Sequence, residues 1–284
     1  MTTNRYLAPV DDGLPMRPSG VWATEKLHYV QRYVEVFCTA MRKRWPVRCY
    51  VDLMAGPGKN RVRQTDQVLL GSPLIALTAT HPFTDFYFAE ADRSNYAALV
   101  ERCSASDLSS RVQCELGDAN LLVNQLVLKL ARKAPNSLNM AFLDPQGLEL
   151  HWSTIAKLAA VQRMDLIINY PLGGLNRVMR NVYDSTHENA VDRLFGDRTW
   201  REIYIENTIR KRGLVHRELI DLLRTKLSNL GYQVVADSPE PLMRNVARKA
   251  PLYRLLFASK HPLGSTFWAE INRVDAHGQR RLFD

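Results

Sequence analysis

Val51-Asp52-Leu53-Met54-Ala55-Gly56-Pro57-Gly58 is the stretch that decides the fold of this 284-residue chain. It begins as an apolar, strand-like run and ends in a turn of small residues. Glycine lacks a Cβ and tolerates positive φ, so a turn of this kind brings bare main chain against a ligand. The stretch therefore predicts a strand that leads to a nucleotide-like cofactor, although a structural tight turn explains a lone G-x-G about as often.

Short apolar runs that are rich in β-branched or aromatic residues recur from this point onward and are predicted to be strands. They are CYVDLM (49–54), DFYFAE (85–90), VQCEL (112–116), NMAFLD (139–144) and MDLIINY (164–170). Helical patterns separate them, around 73–80, 94–103, 119–133 and 152–162. This alternation predicts an α/β fold with a doubly wound, mostly parallel, Rossmann-like sheet that is covered on both faces.

The beginning of the chain lacks this alternation. Residues 1–47 are predicted to form an extended lead-in and an amphipathic helix, with Thr24 as its N-cap and its end near Trp45. Residues 48–284 are predicted to form the α/β domain.

The pattern changes again late in the chain. A helical insertion is predicted over about 172–230. Two further strands, at 232–237 and 252–259, bring the predicted sheet to seven strands, and a last extended run is predicted at 265–273.

Composition bounds the class of protein. The chain has 38 Lys and Arg against 29 Asp and Glu, a formal net charge of +9, and 46% of its residues are hydrophobic. These values are typical of a globular protein. Basic clusters such as Arg42-Lys43-Arg44 and Arg210-Lys211-Arg212 predict either a face that binds nucleic acid or a solvated surface.

Several classes of protein are not expected from the sequence. It has no run of 18 apolar residues and no secretory signal pattern, so we expect a cytoplasmic protein that makes no membrane contact. The four cysteines form no C-x-x-C pair and have no His at ligand spacing, so we expect no metal site and interpret them as buried thiols. The motifs of serine hydrolases and phosphate loops are also missing.

Acidic residues accompany successive predicted strands. Asp52 lies inside the first strand, Glu90 ends the second and Asp118 follows the third. Each residue alone is more often a helix N-cap or a solvated loop residue. Because open α/β sheets bind ligands at the carboxyl ends of their strands, the three together predict a site for a ribose diol at Glu90 and an adenine amine at Asp118.

These motifs resemble those of class I S-adenosylmethionine-dependent methyltransferases, and the chain more narrowly resembles the three-Cys-motif partner protein family. The resemblance rests on Trp22 with Lys26-Leu27, YVDLMAGPG (50–58), GSPLIAL (71–77), FAEAD (88–92), FLDPQG (142–147), INYP (168–171) and LYRLLFASKHPLG (252–264). It implies a methyltransferase-like fold. It also implies a partner, a radical-SAM-like protein that carries the three cysteines.

The resemblance further implies S-adenosylmethionine as the cofactor and assigns residues to it. The implied cofactor-binding residues are Asp52, Ala55, Gly56, Gly58, Glu90 and Asp118. The two glycines would approach the methionine part of the cofactor, and Asp52 would orient the turn or meet the cofactor amine.

One departure from the methyltransferase pattern concerns the segment after the glycine turn. A helix usually begins directly there, whereas KNRVRQTDQVLL (59–70) precedes the N-cap Ser72 and Pro73. We interpret this segment as a mobile loop. Its basic residues, Lys59, Arg61 and Arg63, either close over an anionic substrate or are solvated.

The fourth strand ends at Asp144-Pro145-Gln146-Gly147, where amino-methyltransferases carry a D/N-P-P-Y/F turn. Asp144 and the Pro145 backbone are predicted to accept a hydrogen bond from the acceptor amine. The aromatic residue that would stack a flipped base is missing, which weakens an N6-adenine or N4-cytosine assignment. Tyr170 either stacks from the next strand or packs in the core. The insertion is predicted to form a lid or a substrate platform that reaches the cleft through Asn176, Arg177 and Arg180.

The leading hypothesis is methyl transfer from S-adenosylmethionine to a nucleic acid, DNA or RNA, or to a nucleotide-bearing substrate, with Asp144, Pro145 and Tyr170 as catalytic residues. The alternative is a non-catalytic module that binds the radical-SAM-like protein or nucleic acid. A third hypothesis, a metal-dependent nuclease, would require Asp52, Glu90 and Asp144 to converge on one ion.

Overall fold

A computed structural model describes residues 4–233, 240–245, 250–275 and 278–279. The strands are β1 (Arg17–Ser19), β2 (Val47–Asp52), β3 (Lys59–Val62), β4 (Val68–Leu70), β5 (Asp85–Glu90), β6 (Val112–Leu116), β7 (Ser137–Leu143), β8 (Met164–Tyr170), β9 (Leu242–Arg244) and β10 (Pro251–Ala258). The α-helices are α1 (Trp22–Met41), α2 (Ser72–Leu77), α3 (Arg93–Ser104), α4 (Ala119–Lys133), α5 (Trp152–Ala160), α6 (Leu172–Val182), α7 (Ala190–Phe195), α8 (Thr199–Ile209), α9 (Val215–Asn229) and α10 (Pro262–Asn272).

A seven-stranded sheet with the order β6-β5-β2-β7-β8-β10-β9 forms the centre of the fold. The first five strands of this order are parallel, and β10 runs antiparallel to both of its neighbours. The chain proceeds from β2 to one side and then returns to the other, so the strand order reverses beside β2. The α/β fold with a doubly wound, mostly parallel, Rossmann-like sheet is confirmed.

Helices cover both faces of this sheet. On one face α1 buries Val30, Val34 and Phe37, which recur at helical spacing, in a cluster that also includes residues of α2 and α10. On the other face, α4, α5 and the helices of the insertion pack in a second cluster. Strand β2 is thereby buried from both sides, and its apolar residues Cys49, Tyr50 and Val51 are completely buried.

The segment 59–70, predicted to be a mobile loop, is instead the hairpin of β3 and β4. It forms a three-stranded sheet with β1, which pairs in parallel with β3. The pairing strand comes from the start of the chain, so no local pattern indicated it. Helix α2 follows directly, with Gly71 rather than Ser72 at its N-cap position.

Other boundaries also differ from those predicted. Helix α1 begins at Trp22 rather than Thr24. The extended run predicted at 265–273 is wrong, because this segment belongs to α10, which buries Trp268 and Ile271 against the α1 side of the sheet. Of the strand predicted at 232–237, Gln233 forms a single bridge to Ser259, and 234–237 lie outside the described residues.

The segment between β8 and β9 contains the four helices α6 to α9. Within the described residues, no helix combines the length and the apolar character that a membrane span requires.

A buried ion-pair cluster of Asp12, Lys59 and Arg102, here called the Asp12 cluster, connects the start of the chain to the glycine turn. The Asp12 carboxylate accepts from Lys59 Nζ at 2.8 Å and from Arg102 Nη2 at 2.7 Å, and all three side chains are fully buried. Arg102 Nη1 also donates to the Pro57 carbonyl oxygen at 2.5 Å. Burial opposes ionisation of Asp12, but the two cations hold its pKa well below the usual value.

Candidate functional site

The glycine turn follows β2 with the predicted backbone geometry. Gly56 and Gly58 have φ angles of 65° and 89°, which favour glycine. The Gly71 N–H donates to the Gly58 carbonyl at 2.7 Å, so the turn touches the start of α2. Ala55 is buried, and its N–H donates to the Ala89 carbonyl at 2.9 Å, which joins the turn to β5.

Asp52, at the end of β2, is completely buried beneath this turn. Its carboxylate accepts from the Ser72 hydroxyl at 2.5 Å and from the Met54 N–H at 3.2 Å. Burial raises the pKa of Asp52 to about 7, and the nearby Asp144 carboxylate contributes to the rise. These contacts are those of a residue that orients the turn.

Glu90, at the end of β5, faces the turn. Its Oε2 accepts from the Gly56 N–H at 2.8 Å and its Oε1 accepts from the Asp92 N–H at 2.9 Å. Each oxygen of a carboxylate has two acceptor positions. Glu90 is therefore fixed in orientation and still has acceptor positions for a ligand.

A cavity of about 180 Å³, here called the strand-edge hollow, lies beside Glu90. Its lining includes Leu53, Met54, Glu90, Gly117, Asp118 and Asp144. Asp118 is exposed and caps α4, accepting from the Asn120 N–H at 2.6 Å. The strand-edge hollow is thus lined by the acidic residues at the carboxyl ends of three strands, Glu90, Asp118 and Asp144, whereas Asp52 does not line it.

Asp144, directly after β7, is almost fully buried, and both of its oxygens are engaged. Oδ2 forms an ion pair with the buried Lys26, and Oδ1 accepts from Asn169 Nδ2 at 2.7 Å. Burial lowers the pKa of Lys26, while the Asp144 charge opposes this effect. A negative charge at Asp144 is therefore compensated within the protein before any ligand binds.

Arg17, from β1, covers the glycine turn. A Cβ at Gly56 would lie 3.3 Å from Arg17 Cζ, so the guanidinium rests directly on this glycine. Arg17 Nη1 is 3.9 Å from Asp144 Oδ2. The remaining cavity at the turn is about 20 Å³, which is room for about one water molecule.

A larger cavity of about 630 Å³, here called the aromatic cleft, shares Arg17, Asp144 and Gln146 with the strand-edge hollow. It is also lined by residues 18–22, Lys26, Arg63, Gln64, Pro145, Asn245 and Tyr253. Trp22 and Tyr253 contact each other there, with ring centroids 4.9 Å apart and planes at 40°. Aromatic side chains therefore lie beside Asp144-Pro145, although they come from distant parts of the chain.

Tyr170 packs in the hydrophobic core beneath α6. Its hydroxyl lies 3.0 Å from His216 Nδ1, and His216 Nε2 lies 2.8 Å from Asn176 Oδ1. Burial raises the pKa of Tyr170 and lowers that of His216 to about 4. Tyr170 is 1% exposed and therefore offers no accessible ring face for stacking a substrate.

The three basic residues predicted for a closing loop have different environments. Lys59 is buried in the Asp12 cluster, where it also donates to the Arg5 and Val10 carbonyls, so it is not available to a substrate. Arg61 is partly exposed and forms an ion pair with Asp11. Arg63 is exposed and lines the aromatic cleft.

The basic residues predicted for the insertion lie on α6 and are exposed. The side chain of Asn176 contacts His216 and lines neither the strand-edge hollow nor the aromatic cleft. Arg177 lies close enough to Tyr253 for its charge to oppose the rise that burial causes in the pKa of this phenol. Arg180 is exposed on the same helix.

Sequence reasoning gave no role to Arg17, Lys26, Trp22 or Tyr253, all of which line the aromatic cleft. One signal was present: Lys26 lies in the apolar stripe of α1, where a charged residue needs a buried partner. Among the described residues, no group of three or more His, Cys, Asp or Glu side chains could hold a metal ion.

Comparison with known proteins gave structural similarities only. No protein-family model and no curated protein sequence matches the chain. Protein LPL1258 of Legionella pneumophila is 9% identical, with a TM-score of 0.47 over 87% of this chain and 90% of that one. The O-methyltransferase TomG of Streptomyces achromogenes, solved with SAM, is 14% identical, with a TM-score of 0.46 over 86% and 82%. TYW2 of M. jannaschii, solved with AdoMet, is 12% identical, with a TM-score of 0.40 over 84% and 77%.

Proposed function

We propose that the protein is a methyltransferase-like protein that binds S-adenosylmethionine at the strand-edge hollow. The observation that carries the proposal is the Glu90 carboxylate, which the Gly56 and Asp92 N–H groups fix beside an open cavity at the point where strand order reverses. A carboxylate in this position suits a ribose diol. Asp118, on the same hollow, would accept from the adenine amine.

The residues at the glycine turn fit the methionine end of the cofactor if Arg17 contacts it. The guanidinium covers Gly56, and its buried Nε has no hydrogen-bond partner within the described part of the chain. A carboxylate is the ligand that a guanidinium pairs with most strongly. Arg17 would move off Gly56 to bind the carboxylate of the methionine part, because the present cavity at the turn, about 20 Å³, holds about one water molecule. Gly56 would then give the methionine part a close approach to the main chain, whereas a Cβ at Gly58 would face Leu74 and Arg102.

In this proposal the acceptor lies beside Asp144 and Pro145. When bound, S-adenosylmethionine supplies a methyl group that is activated by the sulfonium. Asp144 would accept a hydrogen bond from the nucleophile and so orient its lone pair, which is catalysis mainly by positioning. The Lys26 and Asn169 contacts hold the carboxylate in a single orientation for this task.

The acceptor that we propose is a nucleic acid or a nucleotide-bearing substrate, with a radical-SAM-like three-Cys protein as the partner. The partner is inferred from the resemblance of the sequence motifs. The basic residues that line the aromatic cleft support an anionic substrate.

Two contacts favour a second candidate, a non-catalytic module that binds the same partner or nucleic acid. Arg17 covers the turn where the methionine part would lie, and Lys26 already neutralises Asp144. In such a module these contacts would be permanent and no cofactor would bind.

Titration calorimetry with S-adenosylmethionine separates the two candidates. Glu90→Gln is expected to weaken binding roughly tenfold or more, because hydrogen bonds to a charged group contribute about 1.5–3 kcal/mol. Glu115→Gln is the matched control, since this acid on the next strand pairs with Lys129 instead. Absence of binding to the unaltered protein, with co-purification of the three-Cys protein, would decide for the binding module.

Arg17→Met provides a sharper test of the cofactor's orientation. The variant should bind S-adenosylmethionine at least tenfold more weakly, yet bind 5′-methylthioadenosine, which lacks the amino acid carboxylate, as well as the unaltered protein does. Equal losses for both ligands would contradict the assignment of Arg17 to the carboxylate.

A further inference from the structure

The aromatic cleft is lined by stretches that are far apart in the sequence. Residues 17–22, Asp144 to Gln146 after β7, and Tyr253 on β10 line it together with Lys26, Arg63, Gln64 and Asn245. The cleft adjoins the strand-edge hollow through Arg17 and Asp144, which line both. A group bound in the cleft would therefore lie next to the proposed cofactor site.

The position of Trp22 in this cleft depends on the absence of a side chain at Gly20. A Cβ at Gly20 would lie 2.6 Å from the indole Nε1, so the ring packs on the main chain at a place where only glycine fits. The ring also contacts Tyr253, packs against the hydrophobic cluster on the α1 side of the sheet, and lies under the Lys26 ammonium, 5.1 Å from its centroid. Both aromatic rings remain half-buried and line the cavity.

The charges of the cleft favour an anionic ligand. Among its described lining residues, Arg17, Lys26 and Arg63 are cations and Asp144 is the only carboxylate. Lys26 is paired with Asp144, whereas Arg63 is exposed. Arg63 therefore provides a guanidinium group for phosphate on the rim of the aromatic site, whereas Arg17 lies on Gly56 and faces the proposed cofactor.

We propose that the aromatic cleft binds a nucleotide of a single-stranded nucleic acid. The base stacks against the Trp22–Tyr253 pair, the phosphate pairs with Arg63, and the edge of the base reaches toward Asp144. Trp22 and Tyr253 thereby supply the stacking surface that the Asp144-Pro145 turn lacks. The proposal deepens the proposed function, since it names the acceptor and the residues that hold it.

The combination of groups favours nucleic acid over a peptide. Stacked aromatic residues beside guanidinium groups are the elements with which proteins hold single strands. A base is planar and each nucleotide carries one phosphate, which matches the two aromatic rings and the exposed Arg63 guanidinium within this cavity.

The test measures binding of the full chain to fluorescein-labelled single strands of about ten nucleotides, by anisotropy and without S-adenosylmethionine. Tyr253→Ala should weaken binding roughly 5- to 150-fold, the range for loss of one stacked base. Tyr253→Phe should bind within about threefold of the unaltered protein, because the stacking face remains. Tyr183→Ala is the matched control, since Tyr183 also belongs to a half-buried aromatic pair, with Tyr204.

Salt dependence tests the phosphate contact separately. Arg63→Ala should reduce the slope of log affinity against log salt by about one, and Arg111→Ala, which removes an exposed arginine elsewhere, should leave it unchanged.

Strands that contain abasic positions complete the test. The unaltered protein should bind them more weakly than intact strands, whereas Tyr253→Ala should no longer distinguish the two. The proposal is overturned if no strand binds, if Tyr253→Ala binds like the unaltered protein, or if abasic strands bind equally. Strand binding without S-adenosylmethionine binding would refute the proposed cofactor and leave this inference standing.

Discussion

The Asp12 cluster allows a prediction that is independent of any function. Asp12 binds Arg102 through two hydrogen bonds, Nε to Oδ2 at 2.9 Å and Nη2 to Oδ1 at 2.7 Å, and it also pairs with Lys59. Asp12→Asn keeps the shape of the side chain but leaves two buried cations without a counter-charge. Breaking a buried pair in this way costs about 3–5 kcal/mol.

Thermal unfolding followed by circular dichroism measures this cost. A loss of 1 kcal/mol lowers the midpoint of a domain of this size by about 2–4 °C, so Asp12→Asn should lower it by roughly 6–20 °C. Asp11→Asn is the neighbouring control: Asp11 is 55% exposed and pairs with Arg61, and exposed pairs contribute about 0–1 kcal/mol.

The result that would refute this reasoning is a midpoint for Asp12→Asn that matches the one for Asp11→Asn. Lys59→Met provides a second measurement. It removes one of the two cations and leaves the Asp12–Arg102 pair intact, so it should cost less than Asp12→Asn. A larger loss for Lys59→Met would show that the hydrogen bonds of Lys59 to the Arg5 and Val10 carbonyls outweigh the charge balance of the cluster.

Three further predictions concern stability. The pKa of Asp52 is raised to about 7 in the folded protein, so the folded state binds this proton more tightly and the contribution of Asp52 to stability falls as the pH rises from about 4 to about 7. Asp52→Asn should therefore gain urea resistance relative to the unaltered protein over that range, by up to about 1.4 kcal/mol for each pH unit. A constant difference between the two proteins would contradict this. Gly196→Ala should lose about 2–5 kcal/mol in urea unfolding, because φ is 78° and a Cβ would lie 2.6 Å from Trp152 Cδ1; a neutral result would exclude the clash. Tyr170→Phe should lose about 1 kcal/mol in the same assay through the missing bond to His216, and an unchanged midpoint would count against that bond.

The elements that sequence reasoning predicted are those whose signal is local. The apolar run before the glycine turn, the acid at the end of β5 and the periodicity of α1 each lie within one stretch of chain. Hydrophobic pattern and turn residues specify such elements directly. For the same reason Glu90 and Asp118 were predicted at one sheet edge, and the structure places both on the strand-edge hollow.

The environments that were not predicted depend on contacts between distant residues. Lys59 has the sequence context of a solvated loop, and only its pairing with Asp12, from the start of the chain, explains its burial. The run at 265–273 contains aromatic and β-branched residues that also suit a strand, and packing of Trp268 in the core favours the helix. Local propensity is a weak guide where tertiary contacts decide.

The start of the chain shows why the candidate site could be predicted only in part. Asp144 was predicted from its own turn, but the cation that neutralises it, Lys26, lies 118 positions earlier. Arg17 and Trp22 come from the same early segment, and together they cover the glycine turn and form the aromatic surface beside Asp144. The strand ends thus supply the acids and the early segment supplies the cations and an aromatic ring. A change in that segment alters the strand-edge hollow and the aromatic cleft at once, because Arg17 lines both. A ligand that binds in one of these cavities is therefore expected to influence binding in the other.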